Sequence, residues 1–137
     1  MSQYPLVLFP DAVLVTVTLL NAGYVDQAID ADAFDAVPNN RPTQFTTVRR
    51  TGGARTGKVH ERAQITVESW APTSEAAMDL AQINRGLIGA ATSTVVESVP
   101  VGRVEEVSGP ADLPDPLSDT PRVSQTFTIA LRGAPPS

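Results

Sequence analysis

Residues 52–58 carry the spacing G-x-x-x-x-G-K, which is the pattern of loops that hold nucleotide phosphates. Such a loop places Ser or Thr directly after the lysine to reach a magnesium ion, and a helix N-terminus faces the phosphate. Here Val59 follows Lys58, and the next residues alternate like a β-strand. The segment is therefore better explained as the tip of a β-hairpin. A small nucleotide-binding protein that uses Gly52 to Lys58 is the alternative.

The remaining candidates for catalysis or metal binding lack partners at a useful spacing. His60 is the only histidine, and on a strand the adjacent Glu61 would point to the opposite face. Asp112, Asp115 and Asp119 share one loop, but calcium loops need ligands at tight alternating positions, a Gly turn and a terminal Glu. The chain has no cysteine, which excludes disulfides and thiolate metal sites. We predict no enzymatic activity, no cofactor and no metal.

Charge is the chemistry that this sequence concentrates. Residues 41–62 hold six of the ten Lys and Arg residues and one acidic residue, whereas the whole chain has a net charge of −5. Four aspartates lie between residues 26 and 35. This segregation indicates a surface that meets other surfaces, and the negative total argues against general nucleic-acid binding. Arg49 and Arg50 are adjacent and would face opposite sides of a strand, so at least one of them would meet a carboxylate or lie on an interface; a buried ion pair within the chain is the alternative.

The elements that position these charges follow from hydrophobic periodicity and turn residues. Alternation predicts two strands around the Gly-rich segment, and a helical stripe follows Thr73 or Ser74 as N-cap. Trp70, between the second strand and this helix, is predicted to close the core rather than to anchor an interface. The predicted elements are strand 43–50, hairpin loop 51–58, strand 62–70, helix 73–90, strand 94–107, proline-rich loop 108–121 and strand 122–132.

The N-terminal segment 11–23 is ambiguous. Asp11 as N-cap and Gly23 as C-terminal stop favour a helix, whereas a run of β-branched residues favours a strand. Residues 24–42 are predicted to form an acidic loop with at most a short strand near residues 33–37. The apolar run of residues 12–20 is too short to cross a membrane, so we expect a soluble, intracellular protein with no membrane partner.

Strands on either side of a helix predict an α+β fold. We expect a mostly antiparallel β-sheet with two α-helices packed on one face, plus an extended β-hairpin. The length of 137 residues fits a single domain, with a core of about residues 9–133 and a frayed C-terminal tail, residues 134–137.

Five motifs occur in a fixed order along most of the chain. They are RPxxFxxVRRTGG (residues 41–53), ITVESWAP (65–72), EAAMDLAQ (75–82), SGPADLPDP (108–116) and PRVSQTFTIALRG (121–133). In combination they resemble the tail terminator proteins of long-tailed, siphovirus-type bacteriophages, especially those that infect actinobacteria. The resemblance covers roughly residues 38–133.

The resemblance implies a structural virion protein without catalysis or cofactor. It implies that residues 11–22 form a helix, and that a hexameric ring caps the tail tube, stops its growth and offers a surface to the head-completion (connector) protein. DNA would pass through the lumen only as cargo. The protein would lie at the head-proximal end of the tail and, during assembly, in the host cytoplasm. Another neck or tail-completion protein is the alternative within the virion.

Ring formation would need contacts between unlike surfaces, and segregated charge suits such contacts. We therefore expect the basic block of one subunit to meet the acidic 26–35 stretch, or the loop containing Asp112 and Asp119, of its neighbour. The hairpin is expected at the lumen or on the tube. The predicted interface residues are Arg49, Arg50, Arg55, Lys58, Asp26, Asp30, Asp115 and Arg122.

Overall fold

One six-stranded sheet and two helices form the part of the chain that the computed structural model describes, residues 6–136. The strand order is β1-β2-β3-β6-β5-β4, and all neighbours are antiparallel except the β1/β2 pair. The predicted α+β class is confirmed. In chain order the elements are α1 (Ala12–Asp26), β1 (Asp32–Phe34), β2 (Phe45–Arg55), β3 (His60–Trp70), α2 (Ser74–Gly89), β4 (Thr94–Val96), β5 (Val99–Asp112) and β6 (Arg122–Arg132).

The ambiguous N-terminal segment is the helix α1. The Asp11 carboxylate caps it by accepting hydrogen bonds from the backbone N–H groups of Val13 and Leu14, at 3.0 and 3.2 Å. The predicted stop at Gly23 is wrong, because the helix continues to Asp26. Gly23 serves close packing instead, since a Cβ there would lie 2.7 Å from a methyl carbon of Leu87 on α2.

The predicted loop 51–58 is mostly strand. β2 continues to Arg55, and only a tight turn remains, in which the Thr56 N–H donates to the His60 carbonyl at 2.9 Å. The turn-like glycines are paired ladder residues that directly follow a β-bulge between Arg50 and Gly52. Gly53 has φ +109°, and a Cβ there would lie 2.2 Å from the Arg62 carbonyl oxygen, so this position requires glycine.

The region predicted as strand 94–107 contains two antiparallel strands, β4 and β5. Glu97 and Ser98 form the turn between them with φ of +45° and +70°. The predicted loop 108–121 is also wrong in its first part, because β5 continues to Asp112. β5 has three register shifts against β6, and the last of them, between Ser108 and Ala111, accommodates Pro110 within the ladder. β6 has the predicted bounds and the predicted alternation of buried and half-exposed side chains.

Both helices pack on one face of the sheet and enclose the main core. α2 begins at the predicted N-cap, where the Thr73 hydroxyl accepts from the Ala76 N–H at 3.1 Å. The C-terminal tail is not frayed at its first residue, because Ala134 exchanges backbone hydrogen bonds of 2.8 and 3.0 Å with Leu8. The largest fully buried side chains of the core are Tyr24, Leu20, Ile65, Leu80, Ile88, Ile129 and Leu131.

Neither helix among the described residues has the length and apolar character that crossing a membrane requires.

Candidate functional site

Arg50 lies on the helix-covered face of the sheet and is engaged within the subunit. Its guanidinium donates to both carboxylate oxygens of Glu61, at 2.6 and 3.3 Å, and its Nε donates to the Gly52 carbonyl at 3.0 Å. The hydrogen bonds that Arg50 donates to the Glu61 carboxylate raise the pKa of Arg50 above its ordinary value. Because the Glu61 side chain is only 7% exposed, the pair anchors the Arg50 guanidinium within the subunit, so Arg50 is not a free member of the basic block.

The opposite face of the sheet gathers arginines around Glu68 and Trp70. Arg122 places its Nη1 3.1 Å from Glu68, and Arg49 approaches the same carboxylate at 3.6 Å. The Arg122 and Arg41 guanidinium carbons lie 5.2 and 5.3 Å from the centroid of the Trp70 ring. Trp70 is buried, as predicted. Arg122 is 15% exposed and therefore mainly structural, whereas Arg49 is 64% exposed and open to a partner.

The end of the hairpin carries the more accessible part of the basic block. Arg55 is exposed, and its guanidinium carbon lies 5.0 Å from the centroid of the Phe9 ring. Lys58 is exposed in the turn. Another basic residue of the block, Arg62, pairs with Glu105 of β5 at 3.4 Å. The block is thus less isolated than its sequence suggests, since carboxylates from β3 and β5 neutralise several of its members.

The predicted acidic residues are separated in space. Asp26 is the exposed last residue of α1 and accepts from the Gln27 side chain at 3.0 Å, and Asp30 is exposed in the loop that follows. Asp115 instead organises its own loop. Its carboxylate accepts from the backbone N–H of Ser118 at 3.2 Å and from the Ser118 hydroxyl, and the hydroxyl contact holds the Asp115 pKa below its ordinary value. Asp115 therefore stiffens the loop.

A feature that sequence reasoning missed is the outer face of α1. Leu14 is 62% exposed and Val25 is 84% exposed, although the helix is apolar around most of its circumference. The signal was present in the sequence, because no charged residue occurs between Asp11 and Asp26. A helix with this character is normally covered on all sides.

A buried polar cluster holds α1 and α2 on the sheet. Asn84 of α2 donates to the hydroxyls of Thr46 and Ser69, both at 2.9 Å, and accepts from the Tyr24 hydroxyl of α1. Tyr24 also shares a 2.8 Å hydrogen bond with Thr46. Burial raises the pKa of Tyr24 to about 12. Since all four residues are buried, the cluster fixes how the two helices sit on β2 and β3.

The G-x-x-x-x-G-K segment does not have the geometry of a phosphate loop. Gly52 and Gly53 are ladder residues of β2, opposite Gln64 and Ala63, and the turn leads into β3 rather than into a helix. Within residues 6–136 no group of three or more His, Cys, Asp or Glu side chains is placed to hold a metal ion.

In comparisons with known proteins, no family model matches the chain, and no curated protein matches it.

Proposed function

We propose that this protein is a tail terminator, a structural subunit that forms a hexameric ring on the end of a phage tail tube. The ring stops addition of further tube subunits and offers its other side to the head-completion protein. The protein performs no catalysis and uses no cofactor. DNA crosses the ring only as cargo, in agreement with the net charge of −5, which provides no general attraction for phosphates.

The helix α1 is the observation that supports this proposal best. Its β-branched residues favour a strand by propensity, whereas the motif resemblance implies a helix over residues 11–22. The structure has a helix from Ala12 to Asp26. A resemblance based on residues 41–133 thus agrees with the conformation of a segment outside those motifs, for which the local signals conflict. The sheet with both helices on one face also agrees with the implied subunit.

A terminator needs two unlike surfaces. One surface must fit the tube below, and the opposite surface must not fit another tube subunit. Contacts around the ring must also be heterologous, because like-to-like contacts close a dimer instead of a ring. This subunit has accessible basic residues on β2 and its turn and exposed acidic residues at the end of α1. Such an arrangement favours contacts between unlike surfaces over contacts between like ones.

The test is negative-stain microscopy of the purified protein mixed with self-assembled tubes of the tail-tube protein from the same genome. We expect a ring-shaped cap at one end of each tube and arrested growth when more tube protein is added. Tube protein alone is the first control, and a Lys58→Glu variant examines whether the hairpin turn contacts the tube. Lys58 is exposed, so this variant should fold normally.

Uncapped tubes that continue to grow would contradict the terminator function and would favour the alternative of another neck or tail-completion protein. A nucleotide-binding titration with ATP and magnesium tests the alternative that uses residues 52–58. We expect no binding, because these residues form a hairpin without a helix N-terminus to receive a phosphate.

A further inference from the structure

The outer face of α1 forms an uncharged stripe with an acidic border. Leu14 and Val25 are its most exposed large side chains, and Thr18 and Ala22 lie between them on the same face. An open groove of about 690 Å³ runs beside the C-terminal half of the helix. The charged residues that line this groove and a second one beside the N-terminal half are all acidic: Asp26, Glu97, Asp11 and Asp35.

The acidic border restricts what can cover the stripe. Nucleic acid and an anionic membrane surface would both be repelled by it. A second copy of the same stripe is also disfavoured, because either orientation of two α1 helices brings carboxylates together at the ends. The stripe therefore fits a partner surface that has small, uncharged residues in its centre and basic residues at its ends.

The free edge of β2 has this character. β1 pairs with β2 only from Phe45 to Thr47, and no other strand of residues 6–136 pairs with the rest of that edge. Arg49 and Arg55 lie at the two ends of the exposed part, and the register with β3 places them on opposite faces of the sheet, so they flank the edge from its two sides. Between them, Thr51 to Ala54 are exposed and include two glycines, so a helix can approach the backbone closely.

The two surfaces also match in length. Asp11 and Asp26 are fifteen residues apart on a helical path, which corresponds to about 22 Å at the helical rise. Arg49 and Arg55 are six residues apart on a strand, which corresponds to about 20 Å. The two lengths therefore agree, and a helix that lies along the edge, rather than on either face of the sheet, is the placement in which Arg49 and Arg55 can both reach it.

We propose that α1 of one copy docks along the free edge of β2 of the next copy, with Asp11 and Asp26 facing Arg49 and Arg55. The contact joins unlike surfaces, so each copy can bind one neighbour on either side, as a closed ring requires. The inference rests on the proposed function for the number of copies in the ring, whereas the contact itself involves only this chain.

Disulfide cross-linking tests the contact directly, because the chain contains no cysteine of its own. Ala22 lies toward the Asp26 end of the stripe. It would face Ala54 if Asp26 meets Arg55, and it would face Thr51 if the helix runs the other way. All three positions are exposed. The variants A22C/A54C and A22C/T51C are oxidised mildly at increasing protein concentration and separated on non-reducing gels.

We expect one of the two double variants to give a ladder of dimers, trimers and larger species, because a disulfide requires Cα atoms within about 7 Å of each other. Adding Arg49→Glu and Arg55→Glu should remove the ladder. D79C/A54C is the matched control, since Asp79 is an exposed position on the other helix. It should give no ladder.

Two results would overturn the proposal: the absence of species above dimer from both double variants, or an equal ladder from D79C/A54C. The outcome is independent of tube capping. A ladder together with uncapped tubes would support the proposed contact and contradict the terminator function. Capped tubes without a ladder would contradict only the proposed contact.

Discussion

Arg49 and Arg50 are neighbours in sequence, yet the structure gives them different roles, and single substitutions can separate these roles. Arg50 makes a two-pronged hydrogen-bonded pair with Glu61, whose side chain is 7% exposed. Arg49 lies 3.6 Å from Glu68 and is 64% exposed. We therefore expect Arg50→Ala to destabilise the fold and Arg49→Ala to leave it nearly unchanged.

The size of the effect follows from how much charge is left without a partner. Breaking a fully buried pair costs about 3–5 kcal/mol, because the remaining charge stays buried. Arg50 itself is 39% exposed, so water can reach the position that it vacates, and we expect a loss of about 2 kcal/mol. Arg49→Ala should cost less than about 1 kcal/mol, as exposed pairs usually do. Replacing Glu61 by Gln in the Arg50→Ala background should recover about half of the loss.

Urea denaturation followed by the fluorescence of Trp70, the single and buried tryptophan, measures these differences. The midpoints of the Arg50→Ala and Arg49→Ala variants are compared at equal slope. Equal midpoints would refute the stabilising role of the Arg50–Glu61 pair and would make Arg50 a candidate interface residue again. If the Glu61→Gln substitution gave no recovery, the cause of the loss would not be an unpaired carboxylate.

Three further predictions concern the polar groups that shape the subunit. Asn84→Ala should lower the free energy of unfolding by about 3 kcal/mol, because it leaves buried hydroxyls without partners. Urea denaturation measures this free energy, and a decrease below about 1 kcal/mol would contradict the prediction. Burial raises the pKa of Tyr24 from 10.0 to about 12. The neutral Tyr24 side chain therefore contributes fully to the stability of the fold below pH 10, and this contribution is lost as the pH rises toward 12. Between pH 9 and 11.5 the free energy of unfolding of the wild type should therefore fall by up to about 2 kcal/mol more than that of Tyr24→Phe. If the two free energies of unfolding fell in parallel with pH, the prediction would be wrong. Ser118→Ala should raise the pKa of Asp115 toward its ordinary value, which an NMR titration of the carboxyl carbon would detect as a shift to higher pH; an unchanged curve would show that Ser118 does not stabilise the carboxylate.

Elements whose signals are local could be predicted from the sequence. β6 alternates without interruption, and α2 has a hydroxyl N-cap and a continuous apolar stripe. The ends of β2 and β5 could not be predicted. Gly52, Gly53 and Pro110 are typical loop residues, but here they lie in bulged ladders whose pairing comes from β3 and β6. Ladder partners distant in sequence therefore overrode the local preference.

The charged surface was predicted only in outline. Spacing along the chain identified a basic block, but it could not show that Glu68 and Glu105, on other strands, approach Arg49 and Arg62. Arg122 looked available for an interface, and it proved to be nearly buried against Trp70. The exposed face of α1 was missed for the opposite reason, because an apolar helix in a sequence is read as core.

Partial neutralisation inside the subunit has a consequence for assembly. The charges that remain exposed, at the ends of α1 and along β2, are too few to hold copies together alone, since each exposed pair contributes less than about 1 kcal/mol. Their distribution nevertheless favours one mode of contact, because like surfaces repel and unlike surfaces attract. A weak, directional contact of this kind would form mainly where a tube end holds several copies close together and raises their effective concentration. Under the proposed function, the complete ring would therefore assemble at the tube end, whereas free in solution the contact would form only at high protein concentration.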